Sequence, residues 1–405
     1  MTQENPGLAF LNSIHDSARE FFSDTRAYDI VIYHPDDLKR VLDDIFQNVV
    51  ALGIRSSNAV TEEFLARTPN LLAIGAFCIG TNQIDLAACS KRGIAVFNAP
   101  HSSARSVAEL ALACMLNLSR GIGDHSKSMH GGIWNKSTKG AHEIRGKKLG
   151  IVGYGNIGTQ LSVLAENLGM QVYFYDVADK LALGNARKCS SLTELLTVVD
   201  FVSMHIDGRG TNKKIMGATE FDLMKCGSFF INVSRGSVVD ECALADALHC
   251  GKLAGAALDV FEKEPSGKEA FVSPLKNMPN VILTPHIGGS TEEAQENIGT
   301  FVAQKLRAYL EDGTTALSVN MPQVTTRPLE SATRIMHLHR NVPGVMAKIN
   351  AIFAQSKINI DAQRLQTAGE LGYAVTDLGQ PCDTVLMQAL RNIPETIRLR
   401  EITRA

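Results

Sequence analysis

The sequence lacks any marked excess of charge. Its 40 lysines and arginines nearly balance 42 aspartates and glutamates over 405 residues, which leaves a formal net charge of -2. Proteins that bind nucleic acid or an anionic membrane through their overall charge usually carry a basic excess. We therefore expect neither nucleic acid nor a membrane surface as a partner, and any cationic site has to be local.

Long apolar runs are missing as well. No uninterrupted stretch approaches the roughly 20 residues that span a bilayer. Residues 1–22 lack the basic segment followed by an apolar segment that is typical of a secretory signal. From these absences we expect a soluble, cytoplasmic protein.

Pairing motifs are absent among the eight cysteines. They form no C-x-x-C pair, have no histidine at zinc-finger spacing, and stand at positions 78, 89, 114, 189, 226, 242, 250 and 382. We expect reduced thiols, as is usual in the cytoplasm, and no metal site.

Apolar material for several cores is present. Hydrophobic residues make up 45% of the chain, and at about 150 residues per domain the length predicts two to three domains. Short apolar runs alternate with helix-length segments, which favours parallel βαβ units. The first series of predicted strands is 28–33, 48–55, 71–77 and 94–100, and the second is 148–155, 171–176, 201–206, 228–234, 253–260 and 280–286. A serine-capped helix at 102–123 separates the series, and another helix follows at 290–310.

A glycine motif follows the first strand of the second series. Gly153 permits a tight turn, Gly155 lets a pyrophosphate approach the backbone, and Gly158 allows close packing of helix on strand. Asp176 ends the next strand, where a carboxylate accepts the hydroxyls of the adenosine ribose and repels a 2′-phosphate. The pattern predicts an NAD site, with NAD preferred over NADP.

Three polar residues follow strands in the second half of this series. They are Arg235, Glu264 and His286, and reacting groups of open α/β sheets collect beyond the carboxyl ends of strands. Reduction of a 2-keto acid needs a cation for the substrate, an acid for the forming alkoxide and a group that fixes the pKa of that acid. Arginine, histidine and glutamate supply these parts in that order. The residues alone leave open a structural histidine and an arginine that merely caps a helix.

Four segments, LGIVGYGNIG, NVSRGSVVD, LDVFEKEP and TPHIGGST, together resemble the D-isomer-specific 2-hydroxyacid dehydrogenases. The resemblance implies an α/β fold of two Rossmann-like doubly wound domains, a substrate-binding domain of 1–101 with 290–328 and an NAD-binding domain of 102–289. It also implies that Arg235, Glu264 and His286 are catalytic. The NAD contacts that it implies are Gly153, Gly155, Asn156, Ile157, Gly158, Asp176, Val233, Ser234, Arg235, Asp259, His286, Ile287, Gly288 and Gly289.

The same resemblance implies which residues contact the substrate. They are Arg55, Ser56, Lys136 and the backbone amides of Cys78, Ile79 and Gly80. Related enzymes often carry an arginine where this chain has Ser57 and an asparagine where it has Ser103.

Residues 331–405 are similar to the ACT domain, a small α+β module of order βαββαβ. The similarity rests on IMHLHRNVPGVMA and the strand-like KINIDAQRLQ and GYAVTDLGQ. It implies that His339, Asn341 and Asn359 contact an amino-acid effector, expected to be L-serine. A dimerisation module without a ligand stays open. His337 and His339 share a strand face, but no third metal ligand is near in the sequence.

The expected activity is NAD-dependent oxidation of 3-phospho-D-glycerate to 3-phosphohydroxypyruvate, the first step of L-serine synthesis. L-serine is the expected inhibitor, and a homotetramer is the expected assembly. Two alternatives remain: a dehydrogenase for another 2-hydroxy acid such as 2-hydroxyglutarate, and a nucleotide-sensing scaffold that keeps the fold. The scaffold would bind NADH without turnover.

Overall fold

The computed structural model describes residues 5–11, 13–23, 27–34, 48–56, 58–265 and 269–403. The chain forms two compact units, of which the first combines Met1–Ser102 with Gln295–Ala405 and the second is Ser103–Ala294. Among the described residues, no helix has both the length and the hydrophobicity needed to cross a membrane.

The elements alternate along the chain as βαβ units require. The strands are β1 (Gly7–Leu11), β2 (Asp29–Tyr33), β3 (Val49–Ile54), β4 (Ala73–Ala76), β5 (Ala95–Asn98), β6 (Lys148–Val152), β7 (Gln171–Tyr175), β8 (Arg187–Lys188), β9 (Phe201–Met204), β10 (Ser228–Asn232), β11 (Leu253–Leu258), β12 (Val281–Leu283), β13 (Thr333–Arg340), β14 (Ile360–Ala368), β15 (Leu371–Leu378) and β16 (Thr396–Thr403). The helices are α1 (Ser17–Ser23), α2 (Glu62–Ala66), α3 (Leu86–Arg92), α4 (Ala104–Arg120), α5 (Ile122–His130), α6 (Asn156–Asn167), α7 (Leu192–Val198), α8 (Ala218–Leu223), α9 (Glu241–His249), α10 (Glu292–Asp312), α11 (Val345–Gln355) and α12 (Thr384–Arg391).

The first unit contains a parallel sheet in the order β2-β1-β3-β4-β5, one of the two common doubly wound orders. Strand β1, whose five residues GLAFL are all buried, was not predicted from the sequence. The first predicted strand, 28–33, is β2 at the sheet edge. A five-residue apolar run beside a polar start is too short to show a hydrophobic period. The burial of β1 on both faces of the sheet is therefore evident only from the fold.

Helix α10 brings the chain back to this first sheet. A Cβ on Gly75 in β4 would lie 2.7 Å from Val302 and 2.9 Å from Leu306. Glycine therefore lets the helix approach the strand closely. The buried face of α10 belongs to the same apolar core as β1, β3, β4 and β5.

The second unit contains a parallel sheet in the order β12-β11-β10-β9-β6-β7-β8. The strand order reverses between β6 and β9, and in open α/β sheets ligands bind in the crevice at such a point. Apolar side chains cover both faces of the sheet in two buried clusters. The predicted α/β class with doubly wound sheets is confirmed.

The helix predicted at 102–123 is shorter than expected. Helix α4 ends at Arg120, because Gly121 adopts a left-handed conformation (φ 61°), and α5 follows at once. The predicted serine is at the N-cap position, which Ser103 occupies. The predicted capping is wrong, because the side chain of Ser103 makes no capping hydrogen bond.

The third sheet is antiparallel, in the order β14-β15-β13-β16, with α11 and α12 in the βαββαβ sequence. The predicted order βαββαβ, which ends on the strand β16, is confirmed. The sheet packs within the first unit, where Arg398 donates to the carbonyls of Leu71 (2.5 Å) and Pro69 (3.1 Å). Four of its buried side chains join the core of the first sheet, namely Met336, Leu338, Tyr373 and Val375.

Candidate active site

The glycine turn lies where the strand order of the second sheet reverses. Gly153 has φ 95°, and a Cβ there would lie 2.5 Å from the carbonyl oxygen of His205. A Cβ on Gly158 would lie 2.3 Å from the carbonyl oxygen of Gly153, so the start of α6 lies directly against the turn. A Cβ on Gly155 would meet nothing within 4 Å. The backbone at Gly155 therefore faces open space at the start of α6, as a pyrophosphate requires. Asn156 and Ile157 form the first turn of α6, where Asn156 is exposed and Ile157 packs against the core.

Asp176 follows β7 beside this turn. One carboxylate oxygen accepts from the amide of Tyr154 and the other from the amide of Ala178, each at 2.8 Å. A carboxylate oxygen has two lone pairs, so each oxygen keeps an acceptor site for a ribose hydroxyl. The geometry fits the adenosine end of NAD.

Replacing Asp176 with alanine is expected to weaken NADH binding by about 10- to 100-fold, since hydrogen bonds to a charged group contribute roughly 1.5–3 kcal/mol each. Binding of NADPH should weaken less or improve, because the carboxylate no longer repels a 2′-phosphate. Fluorescence titration with NADH and with NADPH measures the ratio of the two dissociation constants. The exposed carboxylate of Asp179, paired with Lys188, provides the control Asp179→Ala. An unchanged ratio in the Asp176 variant would remove the ribose assignment.

A buried asparagine shapes the turn that carries Arg235. Oδ1 of Asn232 accepts from the amide (3.1 Å) and hydroxyl (2.8 Å) of Ser234, while its Nδ2 donates to the carbonyl of Arg235 (3.0 Å). Val233 and Ser234 are buried, and the guanidinium of Arg235 donates to the carbonyl of Ser234 at 2.7 Å. The sequence analysis missed Asn232, although an asparagine ending an apolar strand was a usable signal.

Glu264 and His286 form a pair in which Oε2 lies 2.9 Å from Nδ1. The hydrogen bond to Glu264 raises the pKa of His286, and the negative charges of Glu264 and Asp259 raise it further. Burial and the positive charge of Arg235 lower the pKa, but the net change is upward. Burial on its own would raise the pKa of Glu264, but the hydrogen bond and charge of His286 lower it overall. The side chains are 50% and 40% exposed. Because Glu264 engages Nδ1, Nε2 is the atom placed to exchange a proton with a substrate.

The segment after β12 holds His286 in a left-handed conformation (φ 55°). Such a conformation costs a non-glycine residue roughly 1–2 kcal/mol. The buried carboxylate of Asp259 stabilises it by accepting from the hydroxyl of Thr284 (2.6 Å) and the amides of Ile287 and Gly288 (2.8 Å each). Asp259 was predicted as an NAD contact. In the structure its carboxylate holds the side chain of Thr284 before His286 and the backbone amides after it.

The candidate substrate residues fall into both units. Arg55 follows β3 and donates to the carbonyl of Ser13 at 2.8 Å, and Cys78–Gly80 follow the adjacent strand β4. The carbonyl of Ile79 accepts from Asn98 at 2.5 Å, which fixes this turn. Ser56 is exposed, whereas Ser57 lies outside the described residues. Lys136 belongs to the second unit, where it lines a shallow pocket of about 240 Å³.

Two of the candidate effector residues, His339 and Asn341, lie at one end of the third sheet, where Arg340 pairs with Leu371, and Asn359 lies at the other end, where Ile360 pairs with Leu378. His339 is buried, with Nδ1 2.9 Å from the carbonyl of Arg340 and Nε2 without a hydrogen-bond partner in the described structure. Asn341 follows β13 and donates to the carbonyl of Gly369 at 3.1 Å. Asn359 is exposed just before β14. His337 contacts Thr396 through Nε2 at 2.7 Å, and the described residues contain no cluster of three potential metal ligands.

Comparison with known proteins agrees with this geometry. Residues 112–288 match the model of the D-isomer specific 2-hydroxyacid dehydrogenase NAD binding domain, and residues 335–398 match that of the AHAS small subunit-like ACT domain. The D-3-phosphoglycerate dehydrogenase of Escherichia coli (strain K12) is 53% identical over 352 residues, which cover 86% of each chain. That of Haemophilus influenzae is 50% identical and covers 90% of this chain and 88% of its own. The crystal structure of D-lactate dehydrogenase from Aquifex aeolicus, complexed with NAD and lactic acid, is 28% identical with a TM-score of 0.63, and covers 75% of this chain and 95% of its own.

The chain belongs to the D-isomer specific 2-hydroxyacid dehydrogenase family. The predicted family, the enzyme class and the cofactor are confirmed: it is an NAD-dependent dehydrogenase with a carboxyl-terminal ACT domain.

Proposed function

We propose that the enzyme oxidises 3-phospho-D-glycerate to 3-phosphohydroxypyruvate, the first step of L-serine synthesis. The observation that carries the proposal is the Glu264–His286 pair in the NAD-binding unit. Two curated relatives with at least 50% identity bear the name D-3-phosphoglycerate dehydrogenase, and this supports the substrate.

In the proposed mechanism each residue has one task. Arg235 binds the substrate carboxylate, since a guanidinium matches a carboxylate through two parallel hydrogen bonds. Nε2 of His286 takes the proton of the C2 hydroxyl during oxidation and returns it during reduction, while Glu264 orients the ring and raises its pKa. When bound, NAD supplies the hydride acceptor.

The amino-terminal residues are proposed to bind the phosphorylated end of the substrate. Arg55 provides a cation, with Ser56 and the backbone amides of Cys78–Gly80 beside it on the adjacent strand end. Lys136 is proposed as a second cation. Arginine and clustered amides are suited to phosphate oxygens.

The test is NADH-dependent reduction of 3-phosphohydroxypyruvate by the full-length enzyme, compared with 2-ketoglutarate. We expect a kcat/KM at least 100-fold higher for the phosphorylated keto acid. Equal or faster reduction of 2-ketoglutarate would overturn the proposed substrate. NADH binding without turnover of either acid would favour the scaffold alternative.

We further propose L-serine as the effector of the ACT domain, a homotetramer as the assembly and the cytoplasm as the compartment. The buried, unpartnered Nε2 of His339 supports an effector site, because a polar group left without a hydrogen bond costs about 1–3 kcal/mol. Sedimentation of the purified enzyme tests the tetramer.

Replacing Asn341 with alanine is expected to raise the L-serine concentration for half-inhibition by at least tenfold, with kcat and KM unchanged. The reason is that Asn341 contributes an amide to the proposed effector site and belongs to the first unit, whereas His286 belongs to the second. Inhibition curves for this variant and for the control Asn392→Ala, at the end of α12, measure the effect. Inhibition that persists in Asn341→Ala would place the effector elsewhere.

A further inference from the structure

A buried glutamate on α9 contacts the loop that carries Glu264. Glu241 is the first residue of α9 and is 7% exposed. One of its carboxylate oxygens accepts from the amide of Glu262, and the other accepts from the hydroxyl of Ser273, both at 2.7 Å. These two partners lie on either side of Glu264 in the chain, so a single carboxylate fixes the backbone before Glu264 and a side chain after it.

The burial of Glu241 makes these bonds strong. A charged side chain removed from water needs partners for both oxygens, and an unpaired buried carboxylate would be strongly destabilising. Here each oxygen has one short hydrogen bond, and its position in the first turn of α9 is favourable for a negative charge. The loop is therefore held at two points by charge-assisted hydrogen bonds.

Further contacts around Glu241 fix the same loop. Lys214 pairs with Asp240 (3.1 Å) and lies 3.7 Å from Glu262. A Cβ on Gly236 would lie 1.8 Å from the carbonyl oxygen of Phe261, so the turn of Arg235 lies directly against the start of the loop.

The loop in turn positions the acid–base pair. The amide of Phe261 donates to Oε1 of Glu264 at 3.4 Å, and Oε2 of Glu264 meets Nδ1 of His286 at 2.9 Å. The charged groups that act on His286 are Glu264, Asp259 and Arg235. Of these, Glu264 lies on a loop rather than at the end of a strand, so its placement depends most on what holds that loop.

We propose that Glu241 is a positioning residue that holds Glu264 in hydrogen-bonding distance of His286 through its hydrogen bonds to Glu262 and Ser273, which lie on either side of Glu264 in the chain. The inference rests on the proposed roles of Glu264 and His286. It assigns to Glu241 no contact with substrate or cofactor. Its effect on the reaction passes through the geometry of the Glu264–His286 pair.

The test compares Glu241→Ala, Glu241→Gln and Ser273→Ala with Glu264→Gln as the reference and Glu220→Ala as the matched control. Glu220 also accepts a backbone amide, that of Gly217 at 3.1 Å, but lies on α8. The readouts are kcat for reduction of 3-phosphohydroxypyruvate as a function of pH, and the Kd of NADH. Reduction requires protonated His286, so activity is present below the pKa of His286 and is lost as the pH rises through it.

We expect Glu241→Ala to lower kcat by about 10- to 100-fold, as a displacement of about 1 Å can do. The alkaline limb of the pH profile, where kcat falls as His286 loses its proton, should move to lower pH, as in Glu264→Gln. Glu241→Gln keeps an acceptor for the amide of Glu262 and a donor for Ser273, so its profile should stay close to the unmodified enzyme. NADH binding and the profile of Glu220→Ala should not change.

Ser273→Ala removes one of the two hydrogen bonds and leaves the carboxylate of Glu241 in place. It should shift the alkaline limb in the same direction by a smaller amount, and it tests the proposal even if Glu241→Ala does not fold. An unchanged alkaline limb in every Glu241 and Ser273 variant that folds, beside a shifted limb in Glu264→Gln, would overturn the positioning role. If Glu264→Gln itself changes neither kcat nor the limb, the proposed roles of Glu264 and His286 fail instead.

Discussion

Replacing His286 with glutamine is expected to lower kcat for reduction of 3-phosphohydroxypyruvate by about 10³-fold, within the 10²- to 10⁴-fold contribution of a positioned general acid. Glutamine keeps the volume and a hydrogen-bonding group opposite Glu264, but it cannot transfer a proton near neutral pH. The variant should still bind NADH, because His286 is one of many expected NAD contacts and the nucleotide turn at Gly153–Gly158 is formed by other strands. Stopped-flow measurement of NADH consumption, with NADH fluorescence for binding, separates the two effects.

His249 provides a matched control for this substitution. It lies in the same unit, on α9, and its Nδ1 is 2.9 Å from the carbonyl of Ala245. His249→Gln should retain turnover. Normal turnover in His286→Gln would exclude His286 as the acid, and loss of NADH binding in that variant would point to a structural role.

The second large effect is expected at Arg235. Replacing it with lysine keeps the charge but removes the planar pair of donors, so kcat/KM should fall by about 10- to 100-fold, equivalent to the roughly 1.5–3 kcal/mol of a charge-assisted hydrogen bond. The loss should appear mainly as a higher KM for the keto acid. Steady-state kinetics over a wide substrate range measures this.

The control for Arg235 is an exposed arginine at the opposite end of the sheet. Arg145 precedes β6 at its amino end and lies 3.7 Å from Glu143. Arg145→Lys should behave like the unmodified enzyme. If Arg235→Lys lowers kcat while KM stays constant, the guanidinium acts on the transition state rather than as an anchor for the bound substrate.

Features that depend on a short stretch of sequence could be predicted. Gly153 and Gly158 lie against backbone within a few residues or just after a neighbouring strand, and Gly155 faces open space, so their spacing alone indicates the turn. Asp176, at the end of β7, follows from the same pattern. The placement of Arg235 and His286 follows from the rule that functional groups collect at the carboxyl ends of parallel strands, and Glu264 lies on the loop that follows one of these strands.

Features that depend on distant contacts could not be predicted. Glu241 acquires its partners from residues 21 and 32 positions along the chain, and a glutamate at a helix start is otherwise unremarkable. Strand β1 is too short to show a period, and its burial comes from neighbours on both sides. The packing of the third sheet on the first depends on side chains such as Arg398, whose partners lie more than 300 residues away.

The insertion of the second unit between Ser102 and Gln295 has a consequence for synthesis on the ribosome. The second unit is continuous in sequence and has its full sheet before α10 is made. The first sheet must wait for Val302 and Leu306 to cover β4. At about 5–20 residues per second, the intervening chain of roughly 200 residues leaves that apolar face open for on the order of 10–40 s. During this interval the nascent segment Met1–Ser102 is the part of the chain most exposed to aggregation and to capture by chaperones.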